Sequence, residues 1–210
     1  MTDRAALDAL LDSQWAGVLS TVADGEPVAV PLLYARDGDR VLVHGSTGAG
    51  ALRTVAAGAP AVLTVFAIDA LVVAPTTFES SVNYRSATIR GALTRVDDAA
   101  LDAFSESLIP GRTSEVRAST RKELAKTMAL SLPIAADNWV LKVADDWPAT
   151  PEEAGAEDDV WSGLVPVRTV LDAPVAAPWA QDLPVPPSVR GLIPGDRAGP
   201  GARPRSRRPG

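Results

Sequence analysis

An antiparallel, mainly β barrel with a few peripheral helices is the fold expected of these 210 residues, on three grounds. Strand-like runs recur six to eight times along the chain, most of them joined by short turns. Two of the first turns carry Asp-Gly, a strong hairpin signal because tight hairpin turns need backbone conformations that Asp, Asn and Gly tolerate. Regular β-α-β alternation is absent, which argues against a doubly wound parallel sheet.

The elements follow in order. Residues 3–13 set Ala6, Leu7, Leu10 and Leu11 at helical spacing behind the candidate caps Thr2 and Asp3. The run WAGVLSTV, the turn ADGE, PVAVPLLYAR, the turn Asp37-Gly38 and RVLVHG make three antiparallel strands. STGAGALRTVAAG supplies small residues and then a short helix, AVLTVFAIDALVVA returns to strand, and FESSVNYRSATIRGALTRV is the next long one. Residues 97–109 predict a helix capped by Asp97 or Asp98 and stopped at Pro110-Gly111. Thr120 to Glu123 fits a capping box for another. MALSLPI and NWVLKVA read as strands, residues 146–159 as an acidic, proline-rich linker, and VWSGLVPV as a final strand. One domain is expected over 1–173, with a Pro/Arg-rich extension over 174–210 whose last sixteen residues read as disordered.

Composition narrows the function classes. With 46% apolar residues the chain can close a core, and with no cysteine it has neither disulfides nor thiolate chemistry. The N-terminus lacks the pattern of a signal peptide and no segment is apolar enough to span a membrane, so a soluble, cytoplasmic protein is expected. Net charge is −6, but the last sixteen residues hold five Arg against one Asp, leaving −10 on the rest. So acidic a body is a poor nucleic-acid surface.

His44 is the single histidine, at a strand end before Gly45. It cannot build a multi-histidine metal site, so no metal site is expected, and no Gly-x-Ser-x-Gly elbow accompanies it. It reads either as a barrel-end residue making one hydrogen bond or as a catalytic group. The loop HGSTGAGALR fails both the P-loop and the dinucleotide fingerprint. It still offers small residues, the hydroxyls of Ser46 and Thr47, a helix start and the guanidinium of Arg53, which together suit a phosphate; a flexible connection would look the same. In SVNYRSA, strand alternation puts Val82, Tyr84, Ser86 and Thr88 on one face and Asn83, Arg85, Ala87 and Ile89 on the other. So many hydrogen-bonding groups at a strand start suit either a solvated edge or a ligand with phosphate and amide-like edges. Trp161 reads as core, interface or cofactor-stacking.

Taken in order, a hairpin pair, a strand ending in His44-Gly45-Ser46, a small-residue loop with a basic residue, Ser81-x-Asn83-Tyr84-Arg85-Ser86 and a helix ending in Pro110-Gly111-Arg112 resemble one known group. It is the flavin-nucleotide-binding, nitroimidazole-resistance-like branch of the pyridoxamine 5'-phosphate oxidase-like split-barrel superfamily. The resemblance runs from about Leu19 to Val167, and Trp161-Ser162-Gly163-x-Val165-Pro166 and Pro186-Pro187-Ser188-Val189 also match in place. It implies a six-stranded split β-barrel that dimerises and binds FMN between subunits. By the same resemblance His44, Gly45, Ser46 and Thr47 line the flavin, Arg53 stands near a phosphate contact, Asn83, Tyr84, Arg85 and Ser86 add contacts, and Trp161 caps the ring from the partner. His44 and Tyr84 are the expected catalytic hydrogen-bond donors. The chain departs from its relatives at Glu79-Ser80, where histidines are common, and so lacks imidazoles there for proton transfer or haem ligation. The expected function is an FMN-dependent oxidoreductase acting on a small molecule by hydride transfer at flavin N5. The alternatives are a non-catalytic flavin- or haem-binding protein, an F420-dependent reductase and a barrel that has lost its cofactor.

Overall fold

The computed structural model describes residues 3–157 and 159–193. Helix α1 (Arg4–Ser13) is capped by Asp3, whose carboxylate accepts from the N–H groups of Ala5 and Ala6; Thr2, the other candidate cap, lies outside the described residues. Strands β1 (Ala16–Ala23) and β2 (Glu26–Asp37) join through Asp24-Gly25, both with positive φ, as a tight hairpin requires. Gly38, also at positive φ, turns the chain into β3 (Arg40–Ser46).

Next come α2 (Gly50–Ala56), β4 (Pro60–Val73), β5 (Ser81–Ala92) and the two-residue β6 (Thr94–Arg95). Helix α3 (Ala99–Leu108) has Asp98 at its start, but that side chain makes no capping bond, contrary to expectation. The expected box is formed at α4 (Arg121–Leu124), where Thr120 and Glu123 cap one another. Strands β7 (Thr127–Pro133) and β8 (Trp139–Ala144) follow. The expected acidic linker contains a one-turn helix, α5 (Pro151–Ala154), because Thr150 and Glu153 make a second capping box. A short β9 (Gly163–Pro166) and α6 (Pro187–Arg190) complete the described chain.

The nine strands among the described residues form one antiparallel sheet in the order β6-β7-β3-β2-β1-β4-β5-β8, with β9 beside β4. The six strands expected of the barrel therefore become nine, the additions being short or at edges. The curled sheet wraps α1: Leu7, Leu10 and Leu11 are buried among Leu19, Leu63, Ile89, Leu130 and Leu141. The Tyr34 hydroxyl donates to Leu11 O at 2.8 Å, fixing the end of the helix inside, and burial raises the phenol's pKa well above its ordinary value. A smaller apolar cluster lies outside, where Ala100 and Phe104 of α3 cover Ala35, Leu42 and Ala129.

No such helix covers the rest of the outer face. The β-ladders place Leu33, Val22, Phe66, Ile68 and Val140 on that one side, and all five are exposed. No helix among the described residues is long and apolar enough to cross a membrane.

Candidate functional site

The first group of predicted residues lies at the end of β3. His44 stands opposite Ala129 of β7, and the ring of Phe104 meets it edge-on at 4.3 Å. Burial, to which this contact contributes, lowers the imidazole pKa and favours the neutral ring. The His44 ring makes no hydrogen bond among the described residues, so of its two readings the barrel-end residue with one hydrogen bond is not what the ring shows. Gly45 has a packing explanation: a Cβ there would lie 2.5 Å from Leu52 Cδ1, so its smallness lets α2 dock. Beyond it Ser46 Oγ accepts from Gly48 N–H, and Thr47 N–H donates to Lys126 O. The seven-residue α2 is too short to add much field, and Ala49 at its start offers no side-chain cap. Arg53 is exposed and has no ion-pair partner among the described residues.

Because His44 is the only histidine, one resonance reports on this group. Its imidazole signal is expected to titrate by NMR with a midpoint below about 6.5, the ordinary value. Between the two values the folded chain binds fewer protons than the unfolded one, so protonation of His44 lowers stability as pH falls through that window. A midpoint at or above the ordinary value would contradict the packing against Phe104.

The second group lies on β5, and its faces fall as alternation predicts. Asn83, Ala87 and Ile89 are buried on the inner side, while Tyr84, Ser86 and Thr88 point out and are partly exposed. Two inward residues are committed within the chain. Asn83 Nδ2 donates to Asp146 O at 2.9 Å, tying the segment after β8 to the barrel. Arg85 forms a bidentate pair with Asp69, Nε to Oδ2 at 2.9 Å and Nη2 to Oδ1 at 2.8 Å, which raises its own pKa. The guanidinium expected on phosphate thus has its fork occupied by a carboxylate.

Asp69 reaches Arg85 because it is the extra residue of a bulge: Ile68 pairs with Tyr84 and Ala70 with Asn83, skipping one residue of β4. Sequence reasoning missed this aspartate. It also missed Lys142, which sits directly opposite Ser86 on the outer face, beside Phe66 on the other flank. The alternation of NWVLKVA carried the signal for Lys142, since Leu141 is buried and its neighbour must point out.

No side-chain hydrogen bond or ion pair among the described residues joins the two groups. Between β3 and β5 lie β2, β1 and β4, four strand spacings or about 19 Å along the sheet. Trp161 belongs to neither: it precedes β9, is 67% exposed, and lays its ring on Gly163. Two depressions of the surface, one lined by Leu11, Trp15, Tyr34 and Leu108 and one by Val22, Pro60, Val62 and Gly91, contain none of the predicted residues. No cluster of metal-ligating side chains occurs among the described residues. His44, Ser46, Thr47 and Arg53 therefore make one candidate half-site, and Tyr84, Ser86 and Lys142 another.

Comparison with known proteins follows the same lines. No curated protein matches the sequence. An FAD and haem binding protein from Mycobacterium smegmatis is 48% identical, with 92% of this chain and 96% of that one aligned at a TM-score of 0.87. The flavocytochrome Anf3 from Azotobacter vinelandii is 28% identical over 91% of each chain, at a TM-score of 0.81. A structure from Bacteroides thetaiotaomicron described for 5-nitroimidazole antibiotic resistance shares the fold at 16% identity and a TM-score of 0.55, over 67% of this chain and 84% of that one. The pyridoxamine 5'-phosphate oxidase family profile matches residues 3–138. With that match over well more than half of its length, and the split-barrel sheet in place, the chain belongs to the pyridoxamine 5'-phosphate oxidase family.

Proposed function

We propose that this protein is a homodimeric redox protein that binds a flavin between its subunits and a haem through His44. The observation that supports the reading is the division of the candidate residues: those on β3 and those on β5 stand four strand spacings apart along the sheet, with exposed apolar residues on the same outer face. Packing that face against a second copy would cover it and let the His44 half of one chain approach the Tyr84 half of the other. The 48% identical relative supports both cofactors, and favours FAD over the FMN expected from the wider family.

The residues present fit these groups. A neutral imidazole with both nitrogens unbonded is the form that ligates haem iron, and Phe104 holds the ring in orientation. Arg53 and Lys142 are exposed cations suited to flavin phosphates, with Ser46, Thr47 and Ser86 as hydroxyl donors. Tyr84 offers a phenol O–H to the flavin or to a small-molecule substrate. Asn83 and Arg85 act behind them, the first holding the segment after β8 and the second holding Asp69 at the β4 bulge opposite Tyr84. Trp161, exposed beside β9, could cover the ring from the second subunit. When bound, the flavin would supply hydride or electron transfer and the haem single-electron transfer.

The test is the absorption spectrum of the protein supplied with FAD and haemin. Wild type should show a flavin doublet and a Soret band, and His44→Ala should lose the Soret band while keeping the flavin. A wild type that takes up neither group, or an alanine variant with an unchanged Soret band, would refute the assignment.

A further inference from the structure

After β9 the chain does something that the barrel does not need. From Val165 to Val185 nearly every residue is exposed, including Val170 at 65%, Val175 at 94%, Trp179 at 86% and Leu183 at 67%. A merely loose tail would be polar and free at one end, and this segment is neither. At its start Val167 N–H donates to Asp69 O on the β4 bulge. At its finish Ser188, only 5% exposed, donates through N–H and Oγ to the two carboxylate oxygens of Glu115, which Arg112 also contacts.

One anchor adjoins the Tyr84 group and the other follows the helix that packs on His44. Asp69 holds Arg85, the neighbour of Tyr84, whereas Glu115 follows α3, whose Phe104 holds His44. Twenty residues separate Val167 from Ser188, roughly 70 Å of extended chain, ample to span the four strand spacings, about 19 Å, between β3 and β5. A segment pinned at both ends, with large apolar side chains standing off its own barrel, needs a surface that the single chain does not provide.

We infer that residues 168–186 form a strap along the seam between two copies of this chain, with Val170, Val175, Trp179 and Leu183 covered by the second copy. The inference rests on the dimer proposed above and extends it. In a two-fold dimer each composite site joins the Tyr84 half of one chain to the His44 half of the other. A strap that begins at the first half and ends at the second therefore runs from one composite site to the other. The occupant is a second copy because the strap continues directly from β9, which is paired to β4, the strand that carries the exposed Phe66 and Ile68.

The absence of cysteine makes single-thiol reporters clean. Full-length Val175→Cys and Asp137→Cys, the latter on the exposed β7–β8 turn, are labelled with a maleimide while the association state is followed by sedimentation. In the dimer Val175→Cys should react at least tenfold more slowly than Asp137→Cys. Combined with Phe66→Asp to make a monomer, the two thiols should react alike. A dimer in which position 175 labels as fast as 137 overturns the strap alone, as does protection that persists in the monomer. A wild-type chain that is monomeric at every concentration overturns both the strap and the proposed dimer.

Discussion

Phe66→Asp is expected to turn the proposed dimer into a folded monomer. Phe66 lies on the outer face of β4 and is 58% exposed in the single chain, so a carboxylate there stays hydrated and costs the monomer little. In the dimer the same carboxylate would be taken out of water among apolar side chains without a partner, at a cost of about 3 kcal/mol or more. A two-fold dimer buries two such carboxylates, about 6 kcal/mol in all, which corresponds to a rise in the dimer dissociation constant of roughly 10,000-fold or more. Sedimentation at several concentrations measures it, and flavin content should fall in parallel because each site loses half of its residues. An aspartate variant that still dimerises as tightly as wild type would remove this face from the interface.

The second large effect is on stability. Leu63 is fully buried in the middle of β4, with Leu19 and Ile89 as its ladder neighbours on either side. Leu63→Ala removes three heavy atoms from a packed centre shared by α1 and the sheet, and should cost about 2–5 kcal/mol. Against a typical total of about 5–15 kcal/mol, this is a large share. Urea unfolding monitored by circular dichroism should show a markedly lower midpoint with little change of slope. A loss below about 1 kcal/mol would mean that the site collapses far more readily than its packing implies.

Much of this protein is legible in one dimension. The Asp24-Gly25 turn, the cap at Asp3, the box at Thr120 and the two faces of β5 follow from local rules, since turn chemistry, helix caps and strand alternation involve residues close in sequence. The order of motifs likewise led to the family. The helix at Thr150 was equally legible, through the same box, but the density of acids and prolines around it masks the signal.

What the sequence determined by itself was thus the set of strands, their faces and a roster of polar residues. Only the tertiary structure decided which of those residues meet. The bulge at Asp69 reverses the inward-facing series of β4, from Ala61, Leu63, Val65 and Ala67 to Ala70 and Val72, and brings a carboxylate onto Arg85. Pairing across the sheet set Lys142 beside Ser86 and parted His44 from Tyr84 by four strands. The physical reason is that alternation and capping depend on neighbours in the chain, whereas ion pairs, shared surfaces and half-sites depend on which strands become neighbours in space.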